Sequence, residues 1–213
     1  MADRLGVYNS CLTMCGERQL ASLTEDREPR RLLDAEWAGG AVNRCLEDGQ
    51  WPFARRTVQL DYDPSVTPQW GYNRAYNKPS DWVLTSAFCS DEFLRVPVTQ
   101  YRDEGAYWFG NLDTVYVTYI SNSDLYGMNI GNWPQSFADF VSAHLASRII
   151  YKMSASEERV TRLKNERKEF LTIAKNKAAA AEPPSFPARG TWSNSRIRGN
   201  YRNDGGNTGS LLG

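Results

Sequence analysis

The 213-residue chain offers few groups that could carry covalent chemistry. Its only histidine, His144, stands beside Leu145 in an apolar periodic stretch, a setting that suits a structural residue better than a proton carrier. Paired carboxylates could hydrolyse a glycan, and Asp61 with Asp63 or Asp103 with Glu104 are the candidates. Neighbours on a strand point to opposite faces, which counts against such pairs. Cys11 and Cys15 would share a helix face and could hold a metal between them. A closed zinc site needs about four Cys or His ligands, however, and Cys45, Cys89 and His144 are scattered. Buried free thiols are therefore expected, and with them folding in a reducing compartment. The sequence shows no Gly-rich phosphate loop, serine nucleophile elbow or metal-spaced cluster, so neither catalysis nor a cofactor is expected.

Charge and aromatic residues suggest binding instead. Lys plus Arg equals Asp plus Glu at 25 each, which gives the chain no overall basic field for nucleic acid. The balance is uneven along the chain. The first fifty residues carry nine acids and six bases, whereas residues 155 to 181 carry seven bases and four acids, an asymmetry that suits head-to-tail contacts between copies. After Glu182, prolines, glycines and asparagines surround Arg189, Trp192, Arg196, Arg198, Tyr201 and Arg202. Such a segment buries too little apolar surface to offset its ordering entropy, so residues 183–213 read as an extended or disordered arm awaiting a partner. Arginines interleaved with aromatics are also the chemistry of single-strand nucleic-acid binding, which stands as an alternative function.

The elements that must position these groups centre on Trp133 to Glu182. Phe137, Val141, Leu145, Ile149 and Met153 recur every four residues, with Phe140 and Ile150 widening the stripe, and Pro134 stands where a first turn tolerates it. A second helix begins at Ser154 or Ser156, with acids in its first turn. Its seam runs through Val160, Leu163, Phe170, Leu171, Ala174 and Ala178, and Arg167 occupies a seam position. Upstream, the spacing predicts helices over Asp3 to Gly16 and Glu28 to Leu46, with Gly39-Gly40 marking a bend or a close approach in the second. Arg55 to Asp61 alternates as a strand does. Residues 62 to 82 read as a long proline-punctuated extended segment, followed by short strand pieces at Val83 to Phe88 and Phe93 to Val96. Ala106 to Phe109 and Thr114 to Ile120 flank a four-residue turn and predict a hairpin, its second strand covered on both sides. The expected fold is mainly α: a bundle of about four helices from residues 1–50 and 133–182, a small antiparallel β and loop insertion at 51–132, and the C-terminal arm. No apolar run approaches the roughly 20 residues needed to span a bilayer, so no membrane is expected.

The order of these parts resembles a known family. Asn9 with Leu12, Gly16-Glu17, Leu23, Arg30-Arg31, Leu46 with Gly49, Trp51-Pro52-Phe53-Ala54, Ala75-Tyr76 with Pro79-Ser80-Asp81, Tyr119-Ile120, and Trp133-Pro134 with Phe137 and Leu145-Ala146 follow the order and spacing of the head-to-tail connector (adaptor) proteins of tailed phages, the tail tubular protein A type. The resemblance covers about residues 5 to 181. It implies a structural virion protein made in the host cytoplasm and placed at the head-tail junction. There it would form a twelvefold ring between the portal protein and the tail (nozzle) protein, with genomic DNA passing through the lumen. By that resemblance Arg189, Trp192, Arg196, Arg198, Tyr201 and Arg202 are candidates for contact with the portal. The region Ala106 to Ile120 is a candidate for tail-side or neighbour contacts. Arg159, Arg162, Arg167 and Lys168 become candidates for contact with neighbouring copies or the channel.

Overall fold

The computed structural model describes residues 2–153 and 156–182. Helix α1 (Arg4–Cys15) begins where the Asp3 side chain accepts from the Gly6 amide at 3.0 Å, and ends at Gly16, whose φ of 76° needs a residue free to turn left-handed. The chain beyond Gly16 is clasped back by Asn9, which donates to the Leu20 carbonyl at 3.1 Å and accepts from its amide at 2.8 Å. The single helix expected over Glu28 to Leu46 is two, α2 (Glu28–Ala38) and α3 (Ala41–Glu47), because Gly40 adopts φ 83° between them. Helix α4 (Gln135–Met153) follows Pro134, whose carbonyl accepts from Phe137 and Ala138. Thirteen of the 19 residues of α4 are buried, far more than one stripe, since α1, α2, α3 and α5 all pack on it. Helix α5 (Glu157–Ala181) presses only Val160, Leu163 and Ala174 fully into the core.

The mainly-α expectation is overturned. Among the described residues, five helices stand beside two three-stranded antiparallel sheets, 45% helix against 20% strand, which is an α+β fold. The first sheet has the order β1-β6-β3, from Arg55–Asp61, Thr114–Ser121 and Trp82–Cys89. The second has the order β2-β5-β4, from Arg74–Asn77, Tyr107–Gly110 and Arg102–Glu104. Strand β1 occupies the expected residues, but the segment read as wholly irregular contains β2. One eight-residue strand, β3, replaces the first short piece, and the second piece is no strand: Leu94 takes φ 57° and Phe93 lies exposed. Nor do the predicted hairpin partners pair. Tyr107–Gly110 bonds to β2 and β4, whereas Thr114–Ser121 bonds to β1 and β3, so the four-residue turn carries the chain from one sheet to the other.

Strand β6 explains the double burial read from its sequence. Ile120 belongs to the core that the helices share, together with Leu12, Leu46 and Leu145. Val115 and Val117 point to the other side and meet Tyr76, Phe88 and Trp108 in a second core between the sheets. The first sheet therefore lies between the helices and the second sheet. Aromatic contacts fasten the helical side: Trp51 to Phe137 and Phe53 to Phe137 at 4.8 Å, and Trp133 to Phe137 at 5.1 Å. Each such pair contributes about 0.5–1.5 kcal/mol beyond its buried area.

Candidate functional site

Helix α5 presents the largest group of cations available to a partner. Its core-facing side carries a 34%-exposed arginine: Arg167 donates to the Asp48 carboxylate at 2.9 Å and lies 5.9 Å from the centre of the Phe140 ring, tying α5 to the turn after α3. That is where its seam position placed it, and it leaves Arg167 a half-buried internal tie. Arg162 is exposed; it pairs with Glu166 at 3.3 Å and reaches the Met14 carbonyl at 3.4 Å. Arg159 and Lys168 are exposed and have no ion pair among the described residues. Lys168 shares its helix shoulder with Lys164 and Lys175, given the angular spacing of an α-helix. At the far end Glu182 pairs with Arg55 at the head of β1. The exposed ammonium groups of this shoulder, of which that of Lys164 lies 5.2 Å from the centre of the Tyr151 ring, can hold carboxylates or phosphates. The six portal-contact candidates, Arg189, Trp192, Arg196, Arg198, Tyr201 and Arg202, lie outside the described residues, as does the whole arm from 183.

The β side offers apolar groups rather than charge. Trp70 is 83% exposed and Leu125 is 76% exposed, with Phe93 and Val96 also in solvent. With Leu94 they make five exposed large apolar side chains spread over the 51–132 segment.

The carboxylates considered for glycan cleavage hold the fold instead. Asp61 accepts from the Thr114 hydroxyl at 2.6 Å. Asp63 accepts from the Ser65 hydroxyl and amide and from Asn77, and these hydrogen bonds hold its carboxyl below the usual range, the reverse of what a general acid needs. Asp103 pairs with Lys78 and accepts from Trp108 at 3.1 Å, while Lys78 itself lies 3.8 Å from the centre of the Trp82 ring. Glu104 pairs with Arg102 at 3.1 Å, and facing opposite sides of β4 it does not converge with Asp103.

The remaining chemical candidates are internal. His144 is buried, and burial first, then Arg167, Arg44 and Arg148, push its pKa down to about 4. The four cysteines are buried free thiols. Burial raises Cys11 well above an ordinary thiol, whereas the hydrogen bond with Cys11 lowers Cys15. Among the described residues no cluster of three or more His, Cys, Asp or Glu could hold a metal ion, and no helix is long and apolar enough to cross a membrane.

The Pro79-Ser80-Asp81 step carries no recognisable task in the sequence. Asp81 proves to be a hub: its carboxylate accepts from Arg56 at 2.8 Å, from the Tyr119 hydroxyl at 2.9 Å and from Ser121. Burial alone would raise its pKa, but hydrogen bonds from Ser121, Arg56 and Tyr119 outweigh it and hold the carboxyl down. An aspartate shortly after a proline signals a turn in sequence, not the partners it gathers from two strands, β1 and β6. A scan against protein-family models finds no match, and a search of curated proteins finds none either.

Proposed function

We propose that this chain is a head-to-tail adaptor of a tailed phage, a ring subunit that joins portal to tail and leaves a channel for DNA ejection. One observation carries the reading: several of the residues that bear the resemblance hold this framework together. Asn9 clasps Leu20; Trp51, Phe53, Trp133 and Phe137 form one aromatic cluster; Tyr119 meets Asp81; Tyr76 fills the second core. Framework positions of this kind support a likeness of scaffold, and a scaffold is what a ring subunit would contribute. The free cations of α5 and the exposed apolar groups of the β side supply two kinds of contact surface, as a subunit with several neighbours requires.

In this reading residues 183–213 order on the portal, so that assembly waits for the preformed template. Purified protein mixed with portal rings is expected to form rings stacked on rings by negative-stain electron microscopy, with twelvefold averages. Deleting residues 183–213 is expected to abolish that binding. Undiminished stacking after the deletion would refute the role of the arm, and no stacking by the full chain would refute the adaptor reading itself.

A further inference from the structure

The two Trp-Pro steps of the chain converge on one groove. Trp51-Pro52-Phe53 enters a short 3-10 turn (Pro52–Ala54), and Trp133-Pro134 enters α4, so two chain turns stand side by side against the last turns of α5. The groove between them has a volume of about 310 Å³. Its floor is aromatic, from Trp51, Phe53 and Phe137. Its wall is α5, where Ala174, Ala178 and Ala181 follow at helical spacing. Those alanines create the space, because any larger side chain at 178 or 181 would fill it.

Three polar residues line it, Gln135, Ser136 and Lys177, of which Gln135 donates to Asp139 at 2.8 Å. Among the described residues Lys177 is the sole charged one that lines the groove, and it is exposed and has no ion pair. Ser136 is only 8% exposed, lines the same groove, and its hydroxyl has no hydrogen-bond partner among the described residues. The Ser136 hydroxyl is thus free to donate to a group seated in the groove. It also stands in the first turn of α4, where backbone amides lack carbonyl partners and negative charge is favoured. The cavity is thus apolar at its base and selects for an anion at its rim.

We propose that this groove docks a peptide segment of a partner protein that presents one aromatic or branched apolar side chain directly beside a carboxylate. The volume stands at the lower end of ligand-sized cavities and suits a single anchoring side chain rather than a whole domain. Charge complementarity sets the second requirement, since Lys177 and Ser136 both serve an acceptor that carries negative charge. The proposal is independent of the adaptor reading, and failure to stack on portal rings would leave it standing.

The test uses the full chain and fluorescein-labelled peptides with Phe-Asp, Phe-Asn or Ala-Asp between Gly-Ser flanks, read by fluorescence polarisation. The Phe-Asp peptide is expected to bind about tenfold more tightly than either control. Ala181→Trp, at an exposed position where the new ring falls into the groove, is expected to abolish binding. Lys177→Glu is expected to reverse the preference towards a Phe-Lys peptide. Equal binding of the three peptides, or binding indifferent to Ala181→Trp, would overturn the proposal. So would binding that appears only once residues 183–213 are removed, which would assign the groove to this chain's own C-terminal segment. Self-association of the unliganded protein that Ala181→Trp abolishes would assign it to a second copy, and would equally overturn it.

Discussion

At the scale of single residues, His144 is the least comfortable group in the core, since both ring nitrogens lack a hydrogen-bond partner among the described residues. The groups around it come from four helices: Arg167 on α5, Arg44 on α3, Arg148 on α4 itself and Glu36 on α2. Three cations against one carboxylate reinforce burial and keep the ring neutral, with a pKa near 4. The unfolded chain therefore takes up a proton before the folded one as the pH falls. Its contribution to stability is fully present above about pH 6.5 and declines as the pH drops towards 4. Between pH 7 and pH 5 a single such group costs about 2 kcal/mol. His144→Leu removes the titration and fills a similar volume, so urea unfolding should show the variant gaining on the parent by about that amount at pH 5 compared with pH 7. A difference that does not change with pH would contradict the assignment. The same residue illustrates a limit of sequence reading: its place beside Leu145 announces a structural role, but not that Arg167 and Arg44 from distant segments join Arg148 around it.

At the scale of elements, glycine controls two junctions by different physics. Gly40 turns left-handed between α2 and α3 with open space around it, so Gly40→Ala costs only the backbone strain, about 1 kcal/mol. At Gly127 the constraint is space. A Cβ there would stand 2.3 Å from the Ser121 carbonyl and 2.8 Å from a Leu46 methyl, so the loop after β6 would have to leave α3. Gly127→Ala should therefore destabilise by clearly more than Gly40→Ala, about 2–3 kcal/mol, as read from urea midpoints at constant slope. Equal losses would show that the loop yields freely. The contrast also marks how much of the fold was legible. Asp3 with Gly16 announced α1, the alternation from Arg55 announced β1, and the four-residue rhythm from Phe137 announced α4, because caps and periodicity are local. Strand pairing is not local. The turn composition after Phe109 pointed to a hairpin, yet β6 could bury both faces only by joining β1 and β3 between two cores. Strand β3 is legible only as the shorter piece Val83 to Phe88, since register shifts at Trp82/Leu84 and Thr85/Ala87 blur its alternation. With β2 and β4 only four and three residues long, the share of strand was underestimated. The groove beside α5 was illegible altogether, because it is made by what alanines leave empty.

At the scale of the whole molecule, adjacent cations on α5 separate what holds the subunit together from what it offers to others. Arg167 faces inward, pairs with Asp48 and lies near Phe140, so its removal strands a half-buried carboxylate and loosens α5. Lys168, one residue on, points to solvent with no ion pair among the described residues. Arg167→Met should therefore lower stability by about 1–2 kcal/mol, discounted for the partial exposure of the pair, whereas Lys168→Glu should stay within about 0.5 kcal/mol of the parent. In a ring the order reverses. In the proposed twelvefold ring each α5 charge would recur around the assembly, so a reversal at Lys168 would be multiplied twelvefold in the field felt by an acidic neighbour or by DNA. Stacking on portal rings should then become more sensitive to salt for Lys168→Glu than for Arg167→Met, measured as the fraction of stacked particles between low and physiological ionic strength. If Lys168→Glu unfolds the subunit, or if its stacking follows the parent at every salt concentration, the outward face of α5 has no share in assembly, and the adaptor reading must rest on the β side and the C-terminal arm alone.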